Sequence, residues 1–167
     1  MPDSLTVEPR DRLGIASVMA RKGIASAAIG TRLGIEMSDR PRAIVTGGRT
    51  VVGTGPGTWL LIEEDAAPDF TETLQQVLAG LAGVSDQSSG YVVQRFSGPG
   101  ARTLLKRGAA IDFDTEAFAT GSAATTVIAH IGVILWQVDD RPSYDVATFR
   151  SYAHSFRHWV DETAAAL

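Results

Sequence analysis

The chain has 167 residues, a length that predicts one domain of ordinary size. Hydrophobic residues make up 44% of it and charged residues 20%, a balance typical of a folded globular protein. The net charge of −4 argues against a nucleic-acid partner or an anionic membrane, since both normally require a basic face, and the lack of cysteine excludes disulfides, thiolate metal ligands and a cysteine nucleophile.

The first half of the chain follows the order strand, helix, three strands, helix. Its predicted elements, in chain order, are a strand over 14–20, a helix over 24–33, a hairpin with strands over 42–46 and 50–53, a strand over 59–63 and a helix over 70–81. Gly47-Gly48 supplies the hairpin turn. The amino terminus carries acidic residues and lacks the apolar core of a signal peptide, so we expect a cytoplasmic protein.

The second half repeats that order. Its predicted elements are a strand over 91–96, a helix over 99–107, strands over 125–130 and 133–138 separated at Gly132, a strand over 144–149 and a helix over about 151–164. Pro99 suits the first position of its helix, since the ring presets the helical φ and the missing N–H would have no partner there. His130 falls in the first strand of this hairpin and is predicted to be structural.

The two halves align at a constant offset of 76 positions, which pairs Gly14 with Gly90, Ala25 with Ala101 and Ile35 with Ile111. We therefore predict an α+β fold made of duplicated β-α-β-β-β-α units, over about 14–82 and 90–165. Neither half has enough core to stand alone, so both are assigned to one domain at 14–167, after an N-terminal extension at 1–13.

Two glycine-rich segments are candidates for phosphate-binding loops. The glycines at 53–57 precede a strand, whereas a dinucleotide fingerprint opens a helix, so they predict a turn. Gly98-Pro99-Gly100 does open a helix, whose N–H groups could hold an anion. Because Thr103 replaces the third glycine of the fingerprint, a helix-capping turn is the preferred interpretation.

The last helix carries two side-chain stripes. His154, His158 and Glu162 share one face, but Ser155 stands where the zincin pattern requires glutamate, so a solvated or subunit-facing stripe is preferred over a metal site. Aromatic residues define another face, predicted to be core with a part that contacts another subunit. The predicted core stripe is Tyr152, Phe156, Trp159 and Thr163, and the candidate subunit-interface residues are Tyr152, Phe156, Arg157 and Trp159.

Pairs of carboxylates occur at predicted strand ends and in loops, where solvation accounts for them. They are Glu63-Glu64-Asp65, Asp112 with Asp114, and Asp139-Asp140. A serine nucleophile elbow is not predicted, because Gly121-Ser122-Ala123 lacks the flanking glycine that the strained turn needs. The sequence therefore predicts no catalytic, cofactor-binding or metal-binding residue in this chain.

Four segments of the chain form motifs with a defined order and spacing. They are Ser97-Gly98-Pro99-Gly100-Ala101-Arg102 with Leu104-Leu105 and Asp112; Gly55-Pro56 followed by Trp59-Leu60-Leu61-Ile62; Phe118 with Gly121-Ser122 and Thr126; and Arg150-Ser151-Tyr152-Ala153 continuing to Trp159. Together they resemble the folate-binding aminomethyltransferase superfamily, and within it the gamma-subunit family of heterotetrameric sarcosine oxidases. The resemblance spans about Gly14 to the end, and it implies the aminomethyltransferase-like fold.

The resemblance also implies a non-catalytic subunit of a complex that oxidises sarcosine to glycine, produces hydrogen peroxide and passes the one-carbon unit to tetrahydrofolate. The partners would be alpha, beta and delta subunits, with FAD, FMN, NAD and tetrahydrofolate bound in partner chains and none in this one. Two alternatives stay open. One is the corresponding subunit of a complex for another N-methyl amino acid, such as N-methylglutamate, and the other is a stand-alone folate-binding protein.

Overall fold

The computed structural model of the chain describes residues 5–114 and 116–167, which form two compact units. The N-terminal unit is Arg12–Gly90. The C-terminal unit comprises Tyr91–Leu167 together with the described residues up to Asp11, which contain strand β1 (Thr6–Arg10). Each unit has one antiparallel sheet and its own helices, so the predicted α+β class is confirmed.

The N-terminal unit is a five-stranded sheet in the order β3-β4-β5-β2-β6 with two helices. Its elements are β2 (Leu13–Ala20), α1 (Ser26–Leu33), β3 (Ala43–Thr46), β4 (Arg49–Gly55), β5 (Thr58–Glu64), α2 (Phe70–Val77) and β6 (Ala82–Asp86). Alternate residues of β2, Ala16 and Val18, are buried in one cluster with Ile29 of α1 and Leu74 of α2. This alternation is the period of a strand, and it directs one face of the sheet towards the helices.

The C-terminal unit is a five-stranded sheet in the order β1-β7-β10-β9-β8. After β1 its elements are β7 (Tyr91–Ser97), α3 (Pro99–Lys106), β8 (Ala123–Ile128), β9 (Ile131–Asp139), β10 (Ser143–Phe149), a single 3-10 turn (Arg150–Tyr152) and α4 (Ala153–Ala165). Its core joins Phe96 of β7, Tyr144 of β10, Leu104 of α3 and Phe156 of α4. Helix α3 begins at Pro99, as the sequence predicts.

The four predicted strands of each unit follow the same sheet order. Numbered along the chain within a unit, they lie in the order first, fourth, third, second, and a fifth strand pairs with the first. In the N-terminal unit that fifth strand is β6, which follows α2. In the C-terminal unit it is β1, which precedes the other elements of that unit in the chain. Neither β1 nor β6 is predicted from the sequence.

Strand β1 lies in residues that the sequence assigns to an N-terminal extension. It pairs antiparallel with β7, with Val7 opposite Phe96 and Pro9 opposite Gln94. A proline inside a short polar segment argues against a strand, but an edge strand tolerates proline because its outward N–H needs no partner. The predicted boundary between the N-terminal extension and the domain, between residues 13 and 14, stays a prediction. Strand β1 shows that residues before this boundary contribute to a sheet.

The β8–β9 hairpin turns two residues earlier than predicted. Its turn is Ala129-His130, with φ of 49° and 67°, and Gly132 lies inside β9 opposite Val127. The prediction that His130 lies in a strand is therefore wrong. Two-residue hairpins favour turns with positive φ at both positions, because that twist matches the strands, and here the chain adopts such a turn without glycine.

We expect His130→Gly to raise the free energy of unfolding by about 0.5–1 kcal/mol, because it relieves a left-handed conformation at an exposed side chain. Urea unfolding of the purified chain measures the change. His130→Ala is the matched control, since it removes the imidazole but keeps the strain. Equal stability of the two variants would show that the turn conformation carries no cost.

The core stripe of α4 has a different phase from the predicted one. Its buried residues are Phe156, Val160 and Ala164, spaced i, i+4, i+8, whereas Tyr152 is 51% exposed. The chain enters α4 through the 3-10 turn that contains Tyr152, and the tighter winding of that turn shifts its side chain off the helical stripe. The predicted placement of Tyr152 in the core is therefore wrong.

Candidate functional site

In both glycine-rich turns, a glycine N–H donates a hydrogen bond to another group of the same chain. The glycines at 53–57 lie in β4 and in the turn into β5, where the Gly57 N–H donates to the Asp39 carboxylate over 3.1 Å. Gly98, with φ of 95°, precedes α3, and its N–H donates to the carbonyl of Pro142 over 3.2 Å. Both segments are therefore turns that reverse the chain between consecutive elements.

The histidine stripe of α4 lies on a solvent face. His154, His158 and Glu162 are all exposed. Among residues 5–114 and 116–167, no group of three or more histidine, aspartate or glutamate side chains is arranged so that it could hold a metal ion.

At least one carboxylate in each of the three groups forms an ion pair with a cation. Arg49 Nε donates to Glu63 over 2.8 Å, and Lys106 Nζ to Asp114 over 2.7 Å. The hydrogen bond and the positive charge of Lys106 lower the pKa of Asp114. Burial opposes ionisation of Asp139, yet hydrogen bonds from Arg141 and Ser143 outweigh it and lower the pKa of that carboxyl. The lowered pKa of Asp114 and of Asp139 favours their ionised forms, which does not favour a role as a general acid.

A buried charge network in the C-terminal unit was not predicted from the sequence. Asp145, on β10, is 2% exposed. Arg95 lies directly opposite on β7 and forms a fork with it, with Nε 2.7 Å from Oδ1 and Nη2 2.8 Å from Oδ2. Arg10, the last residue of β1, donates from Nη1 to Oδ2 over 2.7 Å. The network joins three strands of the sheet, so its chemistry is structural.

An aromatic surface lies at the end of the β7–β10 pair. Tyr91 and Phe149 face each other across the two strands and stack, with ring centroids 4.8 Å apart at an angle of 22°. Phe149 is 48% exposed, and Tyr152 follows it within the 3-10 turn. Burial raises the pKa of the Tyr91 phenol. We call Tyr91, Phe149 and Tyr152 the aromatic patch.

The candidate interface residues from the sequence separate into exposed and buried positions. Phe156 is 1% exposed and makes an edge contact with Phe96, so it has no surface to offer a partner. Trp159 is partly buried and stacks on Phe156. Arg157 is held by Asp161, with Nε 2.9 Å from Oδ1, in an exposed pair one helical turn apart. Tyr152 is the member of this set with a large exposed aromatic surface.

An open cavity of about 580 Å³ lies in the N-terminal unit beside the start of β2. Arg12 and Asp65 pair at its rim over 2.9 Å, both with positive φ. Elsewhere in the lining, the Ser88 N–H donates to Asp86 over 2.8 Å, and hydrogen bonds from the Ser88 backbone and hydroxyl lower the pKa of Asp86 against the effect of desolvation. Polar groups around this cavity therefore bond to each other, and we assign no ligand to the cavity.

Within the described part of the chain, no helix combines the length and apolar character needed to cross a bilayer.

The comparisons with known proteins agree on one family. The profile of the sarcosine oxidase, gamma subunit family matches residues 19–166. Sarcosine oxidase subunit gamma of Corynebacterium sp. (strain U-96) is 29% identical over 150 residues, which are 89% of this chain and 72% of that protein.

Two solved structures show the fold. A chain of heterotetrameric sarcosine oxidase from Corynebacterium sp. U-96, in complex with pyrrole 2-carboxylate, is similar with a TM-score of 0.86 and 24% identity, over 97% of this chain and 84% of that one. Glycine cleavage system aminomethyltransferase T from Bartonella henselae has a TM-score of 0.69 and 8% identity, over 94% of this chain and 45% of that one. The expected similarity to aminomethyltransferases is therefore confirmed at the level of the fold.

Proposed function

Because the chain belongs to the sarcosine oxidase, gamma subunit family, we propose that it is the non-catalytic gamma subunit of a heterotetrameric sarcosine oxidase. The family match over residues 19–166 is the observation that carries this proposal, and the similarity in fold to a chain of such a heterotetramer supports it. The partners are then the alpha, beta and delta subunits.

In this role the chain supports oxidative demethylation of sarcosine to glycine, with transfer of the one-carbon unit to tetrahydrofolate and formation of hydrogen peroxide. FAD, FMN, NAD and tetrahydrofolate are bound by the partner subunits, and the assembly works in the cytoplasm. The separate ion pairs of Glu63, Asp114 and Asp139 support a non-catalytic role, since carboxylates neutralised one by one do not provide an acid and a base with opposed pKa shifts.

The two units are also proposed to be copies of one β-α-β-β-β-α unit. The shared sheet order of first, fourth, third, second supports this, together with the constant offset between Gly14 and Gly90 and between Ala25 and Ala101. Gly14 itself has a packing reason to be glycine, since a side chain there would collide with Ala66 and with Phe70, whose Cδ1 would lie 2.8 Å from the added carbon.

The proposal predicts that the isolated chain is colourless and inactive but joins flavin-carrying partners. Purified alone, it should show no flavin absorbance and no sarcosine-dependent peroxide formation. Co-expressed with the alpha, beta and delta subunits of its own complex, it should co-purify in equal stoichiometry, and that complex is the positive control for the peroxide assay. Stoichiometric flavin or turnover in the isolated chain, or a wild-type chain that never joins those subunits, would contradict the assignment.

The similarity in fold to an aminomethyltransferase favours a second candidate, a stand-alone folate-binding protein. Equilibrium dialysis of the isolated chain against tetrahydrofolate tests it, and stoichiometric binding would support this candidate over the subunit role. The peroxide assay on the co-purified complex, run with sarcosine and with N-methylglutamate, distinguishes the two kinds of N-methyl amino acid complex.

A further inference from the structure

We propose that one end of the N-terminal unit is a surface through which this chain binds another subunit of its complex, at a partner face where carboxylates border an apolar contact. The surface, which we call the basic end, is formed by Met19, Arg21, Lys22, Pro56 and Arg40. This inference rests on the proposed function and adds to it a location and the chemistry of the partner.

Hydrogen bonds bring three segments of the chain together at the basic end. The Ala20 N–H donates to the Gly57 carbonyl over 2.8 Å, and the Gly57 N–H donates to the Asp39 carboxylate over 3.1 Å. Every residue of the basic end lies within two positions of Ala20, Gly57 or Asp39 in the chain. The end of β2, the turn before β5 and the segment before β3 therefore contribute to one surface.

The cations of the basic end have no carboxylate partner within the chain. In the part of the chain that the structure describes, Arg21, Lys22 and Arg40 are exposed and form no ion pair, whereas the exposed Arg12 and Arg157 each bind an aspartate. Residues 13–35 and 40–62 contain no acidic residue. A local excess of positive charge on a chain of net charge −4 is complementary to a partner surface that carries carboxylates.

Exposed apolar groups accompany these cations. Met19 is 63% exposed, more than the other large hydrophobic side chains of the described residues. It lies opposite Thr58 on β5 and Gly83 on β6, and Gly83 has no side chain that could cover it. Pro56 is exposed in the turn before Thr58. Methionine and arginine are enriched at protein–protein interfaces relative to the rest of the surface, so this composition favours a protein as the partner.

The backbone of the basic end is fixed before any partner binds. The Arg21 N–H donates to the Leu81 carbonyl over 2.9 Å. The Trp59 indole N–H donates to the Ser38 carbonyl over 2.7 Å, and the Arg40 N–H donates to the Ser38 hydroxyl over 3.1 Å. Because these contacts hold the segments in place, binding pays no cost for ordering the backbone, which favours affinity.

The same features argue against two other occupants. A two-fold contact between copies of this chain would bring the unpaired cations of both copies to one interface, where like charges repel. A nucleic acid would match the local charge, but the net charge of −4 opposes it and Met19 would have no apolar partner. A protein face with carboxylates around an apolar centre matches both parts of the surface.

The test uses the co-expressed complex and measures the dissociation constant of this chain by mass photometry across a dilution series, at low and at high salt. The double variant Arg21→Glu with Lys22→Glu, and Arg40→Glu by itself, should each weaken binding by about 30-fold or more at low salt, because reversal replaces attraction by repulsion. Wild-type affinity should fall more steeply with salt than that of the double variant. Met19→Ala should weaken binding by about ten-fold at both salt concentrations.

Two control variants should stay within two-fold of wild type. Arg107→Glu makes the same change of charge as Arg40→Glu at an exposed position of the C-terminal unit, where the guanidinium donates to the Ala166 carbonyl. Val127→Ala truncates an exposed apolar side chain of β8 and matches Met19→Ala. Circular dichroism of each variant separates binding from folding, and all the substituted positions are exposed.

The outcomes distinguish this surface from the subunit role itself. If wild type joins the complex and every variant of the basic end binds equally well, the surface is wrong and the subunit role stands. If the wild-type chain never joins the partner subunits, the subunit role fails and the surface fails with it. A wild-type homodimer that the double variant disrupts, or binding to duplex DNA at about 0.15 M salt that this variant loses, would identify a different occupant and overturn the proposal.

Discussion

Asp145→Ala is expected to lower the free energy of unfolding by about 3 kcal/mol, because it leaves two partly buried arginine side chains without their carboxylate. Breaking a buried ion pair costs about 3–5 kcal/mol, and the lower value applies here because the side chains of Arg10 and Arg95 are 20% and 33% exposed, so water can compensate in part. Asp145→Asn should be similarly harmful, since an amide is neutral and its NH2 group cannot accept the hydrogen bond made by one of the two carboxylate oxygens.

Urea unfolding, followed by circular dichroism and tryptophan fluorescence, measures this loss. Trp136 lies opposite Asp145 on β9 and is buried, so its emission reports on this part of the sheet. Asp161→Asn is the matched control, because Asp161 pairs with Arg157 at the surface, where such a pair contributes only a few tenths of a kcal/mol. A loss in Asp145→Asn no larger than in the control would show that the network contributes little.

The two arginines should differ in importance. Arg95 makes two hydrogen bonds to Asp145 in a fork and Arg10 makes one, so Arg95→Gln should destabilise the unit more than Arg10→Gln. Arg10 ends β1, and its loss should mainly increase amide hydrogen exchange in that edge strand. This comparison shows whether the network holds the centre of the sheet or only its edge.

Phe156→Ala is expected to lower the free energy of unfolding by about 4 kcal/mol. The ring is 1% exposed and packs between Phe96, with centroids 6.2 Å apart, and Trp159, with centroids 5.8 Å apart. Replacing a buried phenylalanine by alanine costs about 3–5 kcal/mol, through lost burial and the cavity that remains. Thermal unfolding by circular dichroism measures it.

Tyr152→Ala is the matched comparison for Phe156→Ala, because the two aromatic residues are four positions apart and Phe156 is buried whereas Tyr152 is exposed. Phe156→Ala should lose stability, whereas Tyr152→Ala should keep both its circular dichroism and its stability. If Phe156→Ala has wild-type stability but fails to join the complex, then Phe156 is an interface residue and its position in the core does not describe its role.

Most of the regular elements could be predicted from the sequence because their signals are local. Strand-forming residues predict β2 and β7, Gly47-Gly48 predicts the first hairpin, and Pro99 predicts the start of α3. The same local signals failed for β1 and β6, which are short and polar. Those two segments are strands only because an open edge of β7 or β2 is available to pair with them, and pairing is a property of the assembled sheet.

The sequence alone therefore determined the α+β class, through periodicity and turn residues. It also determined the family, through motifs in a fixed order. Only the tertiary structure decided which charges meet: Arg10, Arg95 and Asp145 are distant in the chain, and sheet register brings them together. It also decided which aromatic residues of the final segment are core and which are surface, since Phe156 is buried on α4 whereas Tyr152, in the 3-10 turn before it, is exposed. A sequence pattern records spacing along the chain, whereas burial and charge pairing depend on what lies across from each residue after folding.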